Sequence, residues 1–217
     1  MKQYLKPIVC LAVALVSVAC SSGGEEESLS FNPSSYNDVV SRGNTFEGIW
    51  MVNDVKAEAA DVSINFDDTK VQDNALPSTA TFFGFPFQAI TDLVMPGATV
   101  SSTPNFITIP MRYVGYSDNA FYLEFTPMYY SSMDPQYIYY QVTLEDGKEV
   151  GLSIHLATEK SSVILNSGGD TFSCIIPVDK ISCSEGAGVM FKEIPYNPEM
   201  ELRYTSIRRT KGSTVGN

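Results

Sequence analysis

From residue 44 onward the chain alternates apolar and polar positions. In residues 61–66, Val62, Ile64 and Phe66 share one face and Asp61, Ser63 and Asn65 the other. That period of two belongs to a half-buried β-strand. Residues 46–52, which hold the single tryptophan Trp50, and residues 79–84 read as further strands. Asp67-Asp68-Thr69-Lys70 punctuates them as a turn.

One segment changes period. Phe87, Ile90, Leu93 and Val94 fall on one face of a helix, and Gln88, Thr91 and Asp92 on the other. Pro86 suits its first position and Met95-Pro96-Gly97 ends it. Its polar face lacks the Lys/Arg of a membrane-lying helix, so it is expected to pack on a sheet or plug a barrel end.

Two hairpins can be registered from the pattern. In 106–113 the apolar set is Ile107, Ile109, Met111 and Tyr113; in 121–125 it is Phe121, Leu123 and Phe125. Pairing odd with odd around Ser117-Asp118-Asn119 places both sets on one face. The next pair sets Ile138, Tyr140, Val142 and Leu144 against Val150, Leu152, Ile154 and Leu156. A two-residue Asp146-Gly147 turn would pair even with odd positions. A three-residue loop, Glu145-Asp146-Gly147 with Gly147 left-handed, pairs even with even and is the one predicted. It also puts His155 on the polar face opposite Tyr137. After the Asn166-Ser-Gly-Gly-Asp170 turn, strands over 171–176, 188–194 and 199–208 complete the set, and 211–217 is a polar tail. The fold expected is mostly β, an antiparallel barrel or sandwich of about ten strands with one short amphipathic helix.

The first residues carry an address instead of a fold. Lys2 and Lys6 precede an uncharged apolar run over 8–18, broken only by Cys10 and Ser17. The run is shorter than the about 20 residues of a spanning helix and suits a secretory signal. It ends in Ser17-Val18-Ala19-Cys20, which resembles the site cut by the lipoprotein signal peptidase in bacterial lipoproteins, although Ser17 stands where that family usually has Leu. The resemblance implies a signal peptide over 1–19 and acylation of Cys20. Ser21-Ser22-Gly23-Gly24-Glu25-Glu26-Glu27 is similar to the acidic signal of Bacteroidota-type surface lipoproteins. It implies an outer-membrane protein, held by acyl chains and exposed at the cell surface. Residues 20–43 then read as an acidic flexible tether and 44–210 as one domain.

With 14 Lys+Arg against 25 Asp+Glu the net charge is −11, and the leader takes two lysines away with it. Such a chain lacks the basic stripe of nucleic-acid binders and gains nothing from anionic headgroups. Beyond Cys10 and Cys20 only Cys174 and Cys183 remain. A turn at Val178-Asp179 would face them across a hairpin and allow a disulfide, as an exported context permits. Pro177 and the commonness of free buried cysteines argue the other way, so both states stay open. Two thiols without further Cys or His partners do not make a zinc site.

No reaction emerges from the remaining chemistry. His155, the only histidine, lies on a polar strand face beside Ser153, and no G-x-S-x-G elbow is present. Asp67-Asp68 with Asp73-Asn74 lacks the spacing of a calcium loop. Gly168-Gly169 sits between strands, not before a phosphate-binding helix. No catalytic residue, metal or cofactor is assigned. The most suggestive group is aromatic: Tyr129, Tyr130, Tyr137, Tyr139 and Tyr140 cluster, with Tyr137 and Tyr139 on the face opposite Tyr140. Tyr129, Tyr137 and Tyr139 are the candidate ligand contacts, for sugar stacking or a protein contact; the alternative is cross-strand packing alone.

Phe46-Glu-Gly-Ile-Trp50 resembles the G-x-W opening of lipocalin-like (calycin) barrels. The resemblance implies a late arginine over the tryptophan, Arg203 or Arg208. The chain departs from that family in placing its helix after the third strand and a strand near its end. The reading that follows is a non-enzymatic, surface-anchored lipoprotein that binds a small apolar or glycan ligand. An adhesion or surface-assembly subunit is the alternative; a hydrolase would need converging carboxylates that no spacing singles out.

Overall fold

The computed structural model describes residue 30 and residues 33–41, 44–66, 78–126, 129–131, 134–135, 137–184, 192–194 and 199–211. The expected signal peptide over 1–19, Cys20, the acidic run, the turn expected at 67–70, Asp73-Asn74, most of 188–194 and the tail beyond 211 lie outside these residues.

A helix, α1 (Pro33–Val40), precedes three strands, β1 (Asn44–Val52), β2 (Val55–Phe66) and β3 (Ser78–Phe83). The predicted helix follows as α2 (Phe87–Val94), then a short strand β4 (Thr99–Ser102). A hairpin of β5 (Ile107–Ser117) and β6 (Ala120–Phe125) leads to a small separate ribbon of β7 (Tyr129–Ser131) and β8 (Asp134–Pro135). The second hairpin is β9 (Ile138–Thr143) with β10 (Glu149–Leu156). The chain ends on β11 (Ser162–Asn166), the long β12 (Phe172–Ser184), β13 (Lys192–Glu193) and β14 (Glu201–Lys211).

Eight antiparallel strands, ordered β11-β6-β5-β3-β2-β1-β14-β12, close on themselves because β11 pairs with both β6 and β12. Of barrel and sandwich, the chain forms the barrel. Inward positions follow the period of two, as in β1, where Asn44, Phe46, Gly48, Trp50 and Val52 are buried and the residues between them are not. Ring contacts run across the interior: Trp50 lies 5.0 Å from Phe82, Phe82 6.5 Å from Phe172, and Phe172 5.7 Å from Phe46. Burying each such ring contributes about 1.5–3 kcal/mol.

The barrel has two distinct ends. At one, the near end, lie the start of β1, the Asp118-Asn119 turn and the 166–171 turn, with Ser30 paired to Tyr116. At the far end Asn53 and Asp54, both at positive φ, join β1 to β2. There β12 runs on past the barrel. Its C-terminal half pairs with β10, and β9 and β4 follow to make a second sheet, with β13 on the other side of β12.

Both hairpin registers keep the apolar faces together, one in full and one by an added device. Val142 faces Val150 and Ile138 faces Ile154; Leu144 and Lys148 bracket the three-residue loop, with Gly147 at φ 81°. In the first hairpin Met111 faces Phe125 and Tyr113 faces Leu123, odd on odd. The strands run on, however, to a two-residue Asp118-Asn119 turn with Ser117 opposite Ala120. That turn alone would mismatch the faces; a bulge between Tyr113 and Gly115 restores them.

Three expectations are corrected. The tether predicted over 20–43 is not all tether: in α1, Tyr36, Val39 and Val40 are buried at the near end, because three apolar side chains at helical spacing have a barrel mouth to fill. In α2, Leu93 is 50 % exposed and Thr91 is buried. Thr91 is satisfied there, its hydroxyl donating to the Phe87 carbonyl and lying 3.1 Å from the Tyr140 hydroxyl. Finally, residues 174–183 form no hairpin. They lie within the single strand β12, and Cys174 and Cys183 are free. Nine residues of strand set them about 30 Å apart, far beyond bridging distance.

Candidate functional site

The aromatic face predicted from 137–139 is built on the outer side of the second sheet. Tyr137 and Tyr139 stand two residues apart and so point the same way from β9 and its approach, while Tyr140 points inward and is buried. Tyr139 is 48 % exposed. Its ring centroid lies 6.2 Å from that of Tyr137, which in turn lies 5.1 Å from the ring of His155. Three rings thus form a row.

His155 is held from the next strand. A register shift between His155 and Leu156 leaves Asp179 as an extra residue on β12, the geometry of a β-bulge, which re-aims a side chain. Asp179 Oδ2 accepts from His155 Nδ1 at 2.9 Å. An ionised carboxylate can only accept, so the ring proton is on Nδ1 and Nε2 of a neutral ring is an acceptor. The same bulge changes which parity of β12 faces inward: Cys174, Ile176 and Val178 before it, Ile181 after it.

Small residues fill the floor beside the row. Tyr139 faces Ser153, Ser153 faces Ser182, and Ser182 faces Glu193. Ser153 and Ser182 are buried, though they lie on the outer face, below larger neighbours. Glu193 pairs with Lys180 at 3.0 Å, and that bond raises the Lys180 ammonium above its ordinary range. The face is therefore a strip with rings along one side, buried serines beneath it and an ion pair along the other. It can stack on flat apolar surface and exchange hydrogen bonds with hydroxyl groups.

Of the other sequence-predicted residues, Cys174 and Cys183 stand apart from it. Tyr129 lies in β7, opposite Pro135 in the separate ribbon. Cys174 is buried in the barrel, where burial pushes its thiol far up from its ordinary range. Cys183 is half-buried against the core. Cys20 lies outside the described residues. Among the described residues no three His, Cys, Asp or Glu side chains gather as a metal set, and no helix is long and apolar enough to cross a membrane.

The arginine implied for Trp50 is replaced by a phenol. Tyr204, opposite Trp50 on β14, packs edge-on against the indole at 5.4 Å. Arg203, its neighbour, points the other way to Asp54 and Glu201, and Arg208 pairs with Glu47. Strand alternation alone would have excluded Arg203 once Tyr204 was placed inside.

Two features escaped the sequence reading. Asn53-Asp54, residue types that tolerate left-handed geometry, signal the turn into β2. The helical period places Gln88 on the polar face; its amide accepts from Val100 N–H and donates to the Ala98 carbonyl, as a neighbouring strand would. No protein-family model, curated protein or solved structure matches the chain.

Proposed function

We propose that this chain is a non-enzymatic, surface-anchored lipoprotein that captures a neutral glycan on the Tyr139–Tyr137–His155 face. The ring row carries the reading: two tyrosines and an oriented imidazole stand outside the core, on the face opposite Tyr140. Aromatic faces stack on the C–H faces of sugar rings, and the flanking histidine and carboxylate groups meet their hydroxyls. The net charge of −11 repels acidic polymers. The ring contacts that cross the barrel interior weigh against a large central ligand cavity, which leaves the outer face as the capture surface.

Geometry also suits an N-terminal lipid anchor. Ser30 pairs at the near end, whereas the ring row faces β12 residues 180–182, about 25–30 Å farther along that strand. A chain acylated at Cys20 and tethered there would hold the face away from the membrane.

The alternative of strand-mediated surface assembly fares worse, because Gln88 occupies the Val100 N–H at the free edge of β4 and the Ala98 carbonyl just before it. One observation favours a protein contact of another kind: Phe83 and Phe106 are exposed and lie 6.0 Å apart.

The test is a titration of the mature chain against a panel of neutral and acidic oligosaccharides. Binding of a neutral glycan that falls about tenfold in each of Tyr139→Ala and Tyr137→Ala supports the reading. Binding that survives both substitutions, or no binding, overturns it. Fatty-acid labelling that disappears in Cys20→Ala checks the anchor.

A further inference from the structure

Tyr36 sits in the near end of the barrel in the way a bound phenol would. It is 0 % exposed. Its ring stacks on Tyr113 at 4.9 Å and meets the edge of Phe121 at 5.6 Å. Its hydroxyl lies 2.6 Å from Ser78 Oγ, and Ser78 is itself only 2 % exposed. The surroundings are therefore two aromatic walls and one buried hydroxyl at the base. Burial, partly offset by the Ser78 bond, raises the phenol to about 12, so the group is neutral.

The element that delivers Tyr36 is slight. Helix α1 has eight residues and lies outside the barrel ladder. Tyr36, Val39 and Val40 bury it, and Asn44 Nδ2 ties it by donating to the Val39 carbonyl at 2.9 Å. A helix of this length is marginal by itself. The walls belong to strands paired on both sides: β5 lies between β3 and β6, and β6 between β5 and β11. Local opening therefore releases the helix at far lower free energy than the walls.

We propose that the near end of the barrel is a binding site for a small flat ring bearing one hydroxyl, a phenol or an aryl alcohol, and that Tyr36 fills it in the resting chain. Such a ligand and Tyr36 exclude each other, so binding withdraws α1 from the barrel. The site selects a neutral ring between Tyr113 and Phe121, with its hydroxyl on Ser78. Observed affinity is lower than intrinsic affinity by the fraction of chains in which α1 is withdrawn.

The experiment follows hydrogen exchange of the full mature chain with p-cresol as the probe and toluene as the control. p-Cresol is expected to speed exchange of the amides of 33–40 while the barrel strands stay protected, with toluene about tenfold less potent for want of the hydroxyl. In Tyr36→Ala, p-cresol binds at least tenfold more tightly than in the unmodified chain. Tyr36→Phe, which keeps the fill of the site and removes the Ser78 bond, opens at lower p-cresol. If p-cresol binds Tyr36→Ala yet leaves exchange over 33–40 in the unmodified chain unchanged, the site is only a hole made by substitution and the proposal falls. It falls equally if p-cresol binds neither.

Discussion

At the residue scale, Gly48 and Gly147 show two different reasons for a glycine. Gly48 points into the barrel, where an added Cβ would stand 2.5 Å from Cζ and the hydroxyl oxygen of Tyr204. That phenol is fixed by its hydrogen, shared between the Phe46 carbonyl at 3.1 Å and the Ala60 carbonyl at 3.2 Å. The glycine of the G-x-W stretch thus makes room for the ring that packs on Trp50. Gly147 has nothing within 4 Å of an added Cβ, but its φ is 81°. Gly48→Ala is expected to destabilise the fold by about 2–3 kcal/mol or more through overpacking. Gly147→Ala should cost only about 1 kcal/mol, through the left-handed backbone alone. Urea unfolding of the two variants checks the order; a milder effect at Gly48 than at Gly147 would contradict the packing account.

At the element scale, α2 is locked by side chains from elsewhere and in turn guards a strand. It has no side-chain cap of its own, and the carboxylate of Glu58 on β2 lies by the Gln88 and Ala89 amides of its first turn, which pull its proton affinity down. Burial still outweighs that pull and raises Glu58 above the usual carboxylate range. Gln88 then reaches from the helix to β4 and takes the place of a missing strand. An unguarded edge is a template for pairing with other chains. Gln88→Leu is therefore expected to lose about 1–2 kcal/mol and to self-associate as concentration rises. Light scattering decides it: a variant that stays monomeric at high concentration would show that Gln88 does not protect the edge.

At the scale of the whole molecule, the buried phenols and thiol tie the fold to neutral conditions. Burial raises Tyr36 and Tyr140 each to about 12, and raises Tyr204 and Cys174 further. The unfolded chain releases the thiol proton near about 8.5 and the phenol protons near about 10, and the folded chain holds them longer. Over that window the folded state binds more protons, so stability falls as pH rises. The melting temperature is expected to be flat between about pH 7 and 8, to begin to fall near the ordinary thiol value of about 8.5 and to fall steeply from about pH 10 to 12. Tyr36→Phe should flatten that fall, one titrating group having gone. A melting temperature that holds level to pH 12 would show that these groups ionise freely in the fold.

What the sequence determined was whatever rests on neighbours along the chain. Alternation placed the inner faces of β2, β5, β6, β9 and β10, and parity chose the three-residue loop at Gly147, because side chains on a strand have no choice but to alternate. The same rule put Tyr137, Tyr139 and His155 on one outer face, which is why most of the candidate site was legible. Only the tertiary structure decided the rest, since it turns on pairings between distant segments. Closure of the barrel required β11 to find β12, and the bulge at Asp179 that reaches His155 arose only once β12 lay beside β10. The separation of Cys174 from Cys183 followed from β12 running straight on as a partner to both sheets. Tyr36 reads as tether by composition, and became core because the near end of the barrel offered Ser78, Tyr113 and Phe121. A local pattern shows which face a residue takes. What that face meets depends on contacts whose free energy exists only after the chain has closed.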